Sequence, residues 1–444
     1  MAAILSGRRS RAVARELLPV VPFHAVETVG VPRETPPGER RVALTPSVVA
    51  ALAKADLRVL VESGAGAEAG YPDEAYRDKG ATIVASRDEA FAADAVLQVR
   101  TAGAAPESGR DDLGRMRGDK IVIGFANALA APEILREVAD SGATVFGMEL
   151  MPRITRAQSM DALSSQASIA GYKGVLLMAE TLPKMFPMMT TAAGTIAPAR
   201  VLVIGAGVAG LQAIATARRL GAVVEGYDVR PEAKEQVESL GARFVELDID
   251  TSEAQGEGGY AKEQSEEFLK AQRAAMAKVI AGNDAVITTA LVPGKRAPVI
   301  VTKEMVEGMA PGSVVVDLAA EQGGNCEATV PGETVEVAGV TVVGTPNLPA
   351  TVPHDASQMY AKNISTFLLH LAKEEPLVDL GDEITRETLV THGGQIVHPR
   401  VRQAFGLEPL ETPAVELEPA PASADATAAA AQDAAAATAS EGDS

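Results

Sequence analysis

The chain has no tryptophan, and aromatic side chains make up only 3% of its 444 residues, although 47% are hydrophobic. Its cores must therefore be built from Ala, Val, Leu, Ile and Met, the usual material of an α/β protein. The single cysteine, Cys326, excludes an internal disulfide and any Cys-rich zinc or iron–sulfur site. With five histidines no protein-made metal site is expected, and the cysteine usage reads as that of a reducing compartment. A surplus of positive charge is missing as well. The formal charge of −19 repels nucleic-acid phosphates and anionic lipid headgroups, so neither is expected as a direct partner. No apolar run reaches the roughly 18 to 20 residues that a bilayer requires, so no direct membrane insertion is expected.

What is there is length and alternation. At 444 residues the chain is too long for one ordinary core, and two domains are expected. Residues 1–26, which include the Arg-rich stretch GRRSRAVARELL, lack the apolar region of a secretion signal and read as a flexible extension. Short strands are predicted at Thr28 to Val31, Arg58 to Glu62, Ala81 to Val84, Ala95 to Val99, Lys120 to Gly124 and Thr144 to Gly147. Helical segments such as Pro46 to Ala55 and Ala131 to Ser141 separate them. A Pro-free segment, Ala157 to Leu182, predicts a linking helix about 39 Å long that passes between domains.

A second series follows, with strands at Val201 to Ile204, Val223 to Tyr227, Ala285 to Thr289, Ser313 to Asp317 and Val340 to Val343. The amphipathic run Ser357 to Lys373 then predicts a helix that packs back on the first lobe. The expected fold is α/β, with two Rossmann-like parallel-sheet domains joined by long helices. The first domain is discontinuous (27–160 plus 350–411), the second is a nucleotide domain (161–349), and an Ala/Pro/acidic tail (412–444) is too poor in bulky apolar side chains to order itself.

The nucleotide assignment rests on Gly205-Ala206-Gly207-Val208-Ala209-Gly210. Four aliphatic residues lead into this turn and the helix-competent run Leu211 to Leu220 leads out, as a phosphate-binding βα turn requires. Gly205 permits the tight turn, Gly207 lets backbone N–H groups approach a pyrophosphate, and Gly210 lets the helix pack on the strand. The next strand ends at Asp228, 18 residues after Gly210, where a carboxylate accepts hydrogen bonds from the adenosine ribose. That favours NAD(H) over NADP(H), whose 2′-phosphate the carboxylate would repel; Val229 and Arg230 lie beside it, and Arg230 keeps NADP(H) open. Ala290, Gln322 and Asn325 fall in loops at the carboxyl ends of later strands. They are candidate cofactor contacts, with ordinary turn chemistry as the alternative.

Two stretches carry a family resemblance: Gly30-Val31-Pro32-Arg33-Glu34 followed by Arg41-Val42-Ala43-Leu44-Thr45-Pro46, and the extended turn VIGAGVAGLQAIATARRLGAVV from Val203 to Val224. They resemble the family that unites alanine dehydrogenase with the NAD(H)-binding part of proton-translocating NAD(P) transhydrogenase. Gly38 departs from the first signature, which more often has a polar side chain there. Alanine dehydrogenases carry a substrate-handling Lys and His; in the corresponding stretches this chain has Arg100 and Ala128. An arginine stays protonated and an alanine moves no proton, so the acid–base chemistry of amino-acid oxidation is missing.

Residues 152–161, PRITRAQSMD, resemble the transhydrogenase loop that faces the NADP(H)-binding partner. The resemblance implies that Gln158 contacts the partner's nicotinamide, that Arg153 and Asp161 fix the loop, and that Ser164 hydrogen-bonds NAD(H). It also implies that Tyr260, in the Gly-rich stretch 256–263, folds as a lid over the cofactor. The implied protein is the NAD(H)-binding subunit of a split transhydrogenase. It would pass hydride to NADP+ on an NADP(H)-binding subunit, form a homodimer, and sit in the cytoplasm on the inner face of the plasma membrane through membrane-spanning partner subunits. An alanine dehydrogenase-like oxidoreductase and a non-catalytic NAD-binding module remain as alternatives.

Overall fold

In a computed structural model of the chain, the structure describes residues 26–118, 120–247, 266–292, 294–344, 347–373 and 377–410. The chain first forms β1 (Thr28–Val31), β2 (Arg58–Glu62), β3 (Thr82–Val84), β4 (Ala95–Arg100), β5 (Ile121–Phe125) and β6 (Thr144–Gly147). An exposed hairpin of β7 (Met189–Thr191) and β8 (Gly194–Ile196) precedes the second series. That series comprises β9 (Arg200–Ile204), β10 (Val223–Tyr227), β11 (Arg243–Phe244), β12 (Ala285–Thr288), β13 (Val314–Asp317), β14 (Thr334–Val337) and β15 (Val340–Val343). The last strands are β16 (Leu389–His392) and β17 (Gln395–Ile396).

Two sheets result, and both have the same doubly wound core. The first runs β17-β16-β6-β5-β4-β1-β2-β3 and the second β11-β10-β9-β12-β13-β15-β14. In each, six parallel strands follow the order 3-2-1-4-5-6 of their own series, so the chain direction reverses beside the first strand. Ligands of open α/β sheets bind in the crevice at that reversal, outside the carboxyl ends of the strands. In the second sheet the reversal lies between β9 and β12. In these two sheets the antiparallel pairings among the described residues lie at one end of each: β14 on β15 in the second, and β16 on β6 with β17 on β16 in the first. Because β16 and β17 complete the first sheet, the first unit is discontinuous, as the sequence predicts.

The central strands are continuous aliphatic runs, Val201 to Ile204 and Val314 to Val316 among them, buried on both faces as parallel sheets require. The return helix, Pro353–Leu371, packs on the first sheet, with Tyr360 and Phe367 fully buried. Phe367 meets Phe146 edge-on at 5.6 Å, and the Tyr360 hydroxyl donates to the Gln98 carbonyl at 2.8 Å.

The linking helix differs from its expected span. Residues Thr155–Met160 form a 3-10 turn and the α-helix runs Ala162–Thr181, about 30 Å rather than 39 Å. Asp161 explains the break, because its Oδ1 accepts the Ser164 N–H at 2.8 Å and caps the first turn. Within this helix a Cβ on Gly171 would stand 2.1 Å from the Ala209 carbonyl oxygen. The helix therefore lies directly on the first turn of the helix Val208–Arg219.

Candidate functional site

The turn at Gly205 to Gly210 is built from β9, β10 and β12 together. Gly205 has φ +95°, a conformation that suits glycine, and its N–H donates to the Tyr227 carbonyl at 2.8 Å. Thr289, just past β12, donates from its hydroxyl to the Gly205 carbonyl at 2.9 Å and fastens the turn across the sheet reversal. A Cβ on Gly210 would fall 1.8 Å from the Gly205 carbonyl oxygen, so helix and strand approach as closely as only glycine permits. At Gly207 the situation is opposite: nothing lies within 4 Å of where a Cβ would stand.

The helix that starts at Val208 has no side chain capping its N–H groups and no acidic residue in its first turn. Uncapped N–H groups and the positive end of the helix dipole, beneath an open approach at Gly207, fit a diphosphate. By contrast, the linking helix carries its own carboxylate cap, Asp161.

Asp228 lies at the end of β10 and is buried. Its Oδ2 accepts the Ala206 N–H at 2.7 Å, which ties the acid to the turn itself. The Arg230 guanidinium grips the same carboxylate, Nε on Oδ1 at 2.9 Å and Nη2 on Oδ2 at 2.8 Å. Those hydrogen bonds raise the guanidinium's already high pKa. Val229 between them is partly buried. Asn325 is fully buried and spends its side chain on structure: Oδ1 accepts the Ala290 N–H at 2.9 Å, and Nδ2 donates to the carbonyls of Ala290 and Pro298 at 2.8 Å each. Its place is that of a clamp on the loop carrying Ala290. Gln322 is exposed on a short 3-10 turn near Arg100.

The loop of residues 152–161 is held from behind. Asn363 on the return helix donates to the Ser159 carbonyl at 2.9 Å, and Arg156 pairs with Asp382 at 2.7 Å. Arg153 and Gln158 are exposed, and the Ser164 hydroxyl donates to Asp161 Oδ2 at 2.5 Å. From Gly171, where the linking helix touches the Gly205 to Gly210 turn, Asp161 is ten residues and about 15 Å up the helix axis. Tyr260 and the stretch 256–263 lie outside the described residues.

Sequence reading missed a polar cluster between the lobes. Glu39 is buried and accepts from Arg41 Nε at 2.8 Å and Nη2 at 2.6 Å. It also takes Arg100 Nε at 3.3 Å and Asn347 Nδ2 at 2.9 Å. Burial alone would push its carboxyl up; Arg41 beside it brings it down to about 2. Arg100 reaches on to Glu321 of the second lobe at 2.9 Å, and Arg41 Nη1 donates to Gln166 on the linking helix at 2.8 Å.

Burial, reinforced by Glu39, pushes the neighbouring Glu34 up to about 8 although it accepts the N–H groups of Val99 and Arg100. Ala128 is buried, its side chain is a methyl group, and its N–H is donated to Glu149 at 2.8 Å. Arg100 is thus committed to carboxylates, and position 128 offers no proton-transfer group. Gly38, the departure from the first signature, has φ +78°, which favours glycine there. Among the described residues no cluster of His, Cys, Asp or Glu is suited to hold a metal ion.

The models of the alanine dehydrogenase/PNT N-terminal and C-terminal domains match residues 30–170 and 174–399. The chain is 48% identical over 376 residues to an NAD(P) transhydrogenase alpha-subunit chain of Rhodospirillum rubrum, covering 84% of this chain and 98% of that one. It superimposes on a crystal structure of transhydrogenase from Sinorhizobium meliloti with a TM-score of 0.72 and 44% identity, over 84% of this chain and 99% of the other. An L-alanine dehydrogenase structure gives a TM-score of 0.71 but 28% identity, over 85% of this chain and 99% of the other. Backbone shape does not separate the two branches; the side chains do. The chain therefore belongs to the alanine dehydrogenase/PNT family and resembles its transhydrogenase alpha subunits more than its alanine dehydrogenases.

Proposed function

We propose that this chain is the NAD(H)-binding subunit of a proton-translocating NAD(P) transhydrogenase and that it presents NADH for hydride transfer to NADP+ on a partner subunit. The observation that carries the reading is the commitment of Arg100 to Glu39 and Glu321, with Ala128 at the other substrate-handling position. A dehydrogenase acting on an amino acid needs a group there that moves a proton; transfer between two nicotinamides needs none. Hydride leaves C4 of NADH, which becomes NAD+, and joins C4 of NADP+, which becomes NADPH.

The residues of this chain then bind, position and exclude water. The Gly205 to Gly210 turn and its uncapped helix take the pyrophosphate, and Asp228 takes the adenosine ribose. The dinucleotide extends along the linking helix toward Ser164 and the loop of Arg153, Gln158 and Asp161, which faces the partner's NADP(H). Tyr260 closes as a lid in the same reading.

None of the described helices is long and apolar enough to cross a membrane, so the proton path in this reading belongs to membrane-spanning partners to which the chain docks on the cytoplasmic face. A homodimer is also proposed. The return helix buries Tyr360, Ile364, Phe367 and Leu368 in the core and leaves Met359 exposed. Met188, Met189 and Ile196 on and beside the exposed hairpin, and Met359 on the return helix, are among the exposed apolar side chains that could serve a dimer.

A mixing assay tests the function. Purified chain, NADH and an NADP(H)-binding partner subunit should reduce an NADP+ analogue, and neither component alone should do so. Alanine-dependent reduction of NAD+ by the chain alone would refute the proposal, and NADH binding without transfer in the mixture would leave only a binding module.

A further inference from the structure

An ionised carboxylate offers about four acceptor directions, and at Asp228 four donors hold them. The Arg230 N–H and Nε sit on Oδ1 at 2.8 and 2.9 Å, and the Ala206 N–H and Arg230 Nη2 on Oδ2 at 2.7 and 2.8 Å. Two of these donors are main chain, one from the glycine turn and one from Arg230 itself. The other two are the fork of one guanidinium, one donor to each oxygen, and Arg230 is the outer partner, its side chain 18% exposed against 6% for Asp228. A ribose presents the same pattern to a carboxylate: two vicinal hydroxyls, each donating to its own oxygen. Fork and diol compete for the same two positions.

We infer that Arg230 is the internal occupant of the adenosine ribose site, holding on Asp228 the two acceptor positions that the 2′- and 3′-hydroxyls take when the dinucleotide binds. This rests on the turn being a dinucleotide site and assigns Arg230 a competing role in place of a contact. Release of the fork belongs to the binding equilibrium, so the strength of the Arg230–Asp228 pair sets the affinity for NADH. It also sets selectivity. A 2′-phosphate lacks one of the two donors needed to displace the fork, and it brings negative charge to a carboxylate that has just lost its counter-ion.

The test is calorimetric titration of the full chain with NADH at fixed ionic strength, using wild type, Arg230→Ala and Arg230→Lys. Arg230→Ala should bind NADH about fivefold more tightly, the scale of a partly exposed ion pair. Arg230→Lys should fall between, because an ammonium holds the carboxylate as a single point and not as a fork. With an NADH analogue lacking the adenosine 2′-hydroxyl, the gain in Arg230→Ala should shrink toward none.

Equal or weaker NADH binding by Arg230→Ala, with its thermal unfolding transition retained, overturns the inference and makes the side chain a contact or a bystander. If that variant loses its transition, equal or weaker binding by Arg230→Lys overturns it instead. Binding by wild type with no gain in either variant removes this inference alone; no binding by wild type or variants removes the nucleotide reading with it.

Discussion

Replacing Gly207 by alanine separates nucleotide binding from folding. Gly207 has φ −80° and ψ −166°, a conformation open to alanine, and nothing lies within 4 Å of the added methyl group. The folded chain should therefore tolerate Gly207→Ala and gain about 0.4 to 1 kcal/mol from the lower entropy of the unfolded state. The same methyl group fills the space through which, in the proposed function, a pyrophosphate reaches the N–H groups at the start of the Val208–Arg219 helix. NADH affinity should fall about 10- to 100-fold, or about 1.4 to 2.8 kcal/mol.

Gly210→Ala is the contrasting variant. Its Cβ would stand 1.8 Å from the Gly205 carbonyl oxygen, so the helix must move off the strand. A destabilisation of about 3 kcal/mol or more is expected, the scale of overpacking at a close backbone approach. Thermal unfolding without ligand and NADH fluorescence titration measure the two effects. Wild-type NADH affinity in Gly207→Ala would refute a phosphate site at this turn, and a lowered melting temperature would refute the open space.

Three further outcomes follow from the same geometry. Glu39→Gln should cost about 3 kcal/mol or more by leaving Arg41 and Arg100 without their buried counter-charge, whereas Glu321→Gln, at the solvent-exposed end of the cluster, should cost under about 1 kcal/mol; urea denaturation distinguishes them. Glu34 keeps its proton in the folded chain up to about pH 8 but loses it near its ordinary value of 4.5 when unfolded. Its contribution to stability is thus complete below about 4.5 and lost as pH rises through 8, and Glu34→Gln should flatten that part of a melting-temperature profile. Asp161→Ala should remove about 0.5 to 2 kcal/mol of helix capping and, in the proposed reaction, lower the hydride-transfer rate with a partner more than NADH affinity; equal effects on both would remove its assigned role in fixing the loop.

Much of the fold was legible because it is local. The glycine spacing, the aliphatic strands and the acid at the end of β10 depend on neighbours within about 25 residues, and the structure has them where the pattern puts them. The antiparallel strands β14, β16 and β17 were not legible. Their pairing is decided by which strand lies alongside, and their short segments carry no period of their own. The linking helix began late for a different reason, since the sequence shows that an aspartate is present but not that it turns back to cap its own helix.

At the site the division is sharper. The sequence alone determined the glycine-spaced turn and the acid at the end of the next strand, because each is a matter of residue type at a fixed spacing; Arg100 and Ala128 stand where the family resemblance implies a substrate-handling Lys and His. Only the tertiary structure decided that Arg230 occupies the acid, that Asn325 is spent on the Ala290 loop, that Gly171 seats the linking helix on the turn, and that Glu39 joins Arg41, Arg100 and Asn347 between the lobes. Those contacts join residues up to 308 positions apart, or turn on side-chain direction, and neither is written in periodicity or spacing.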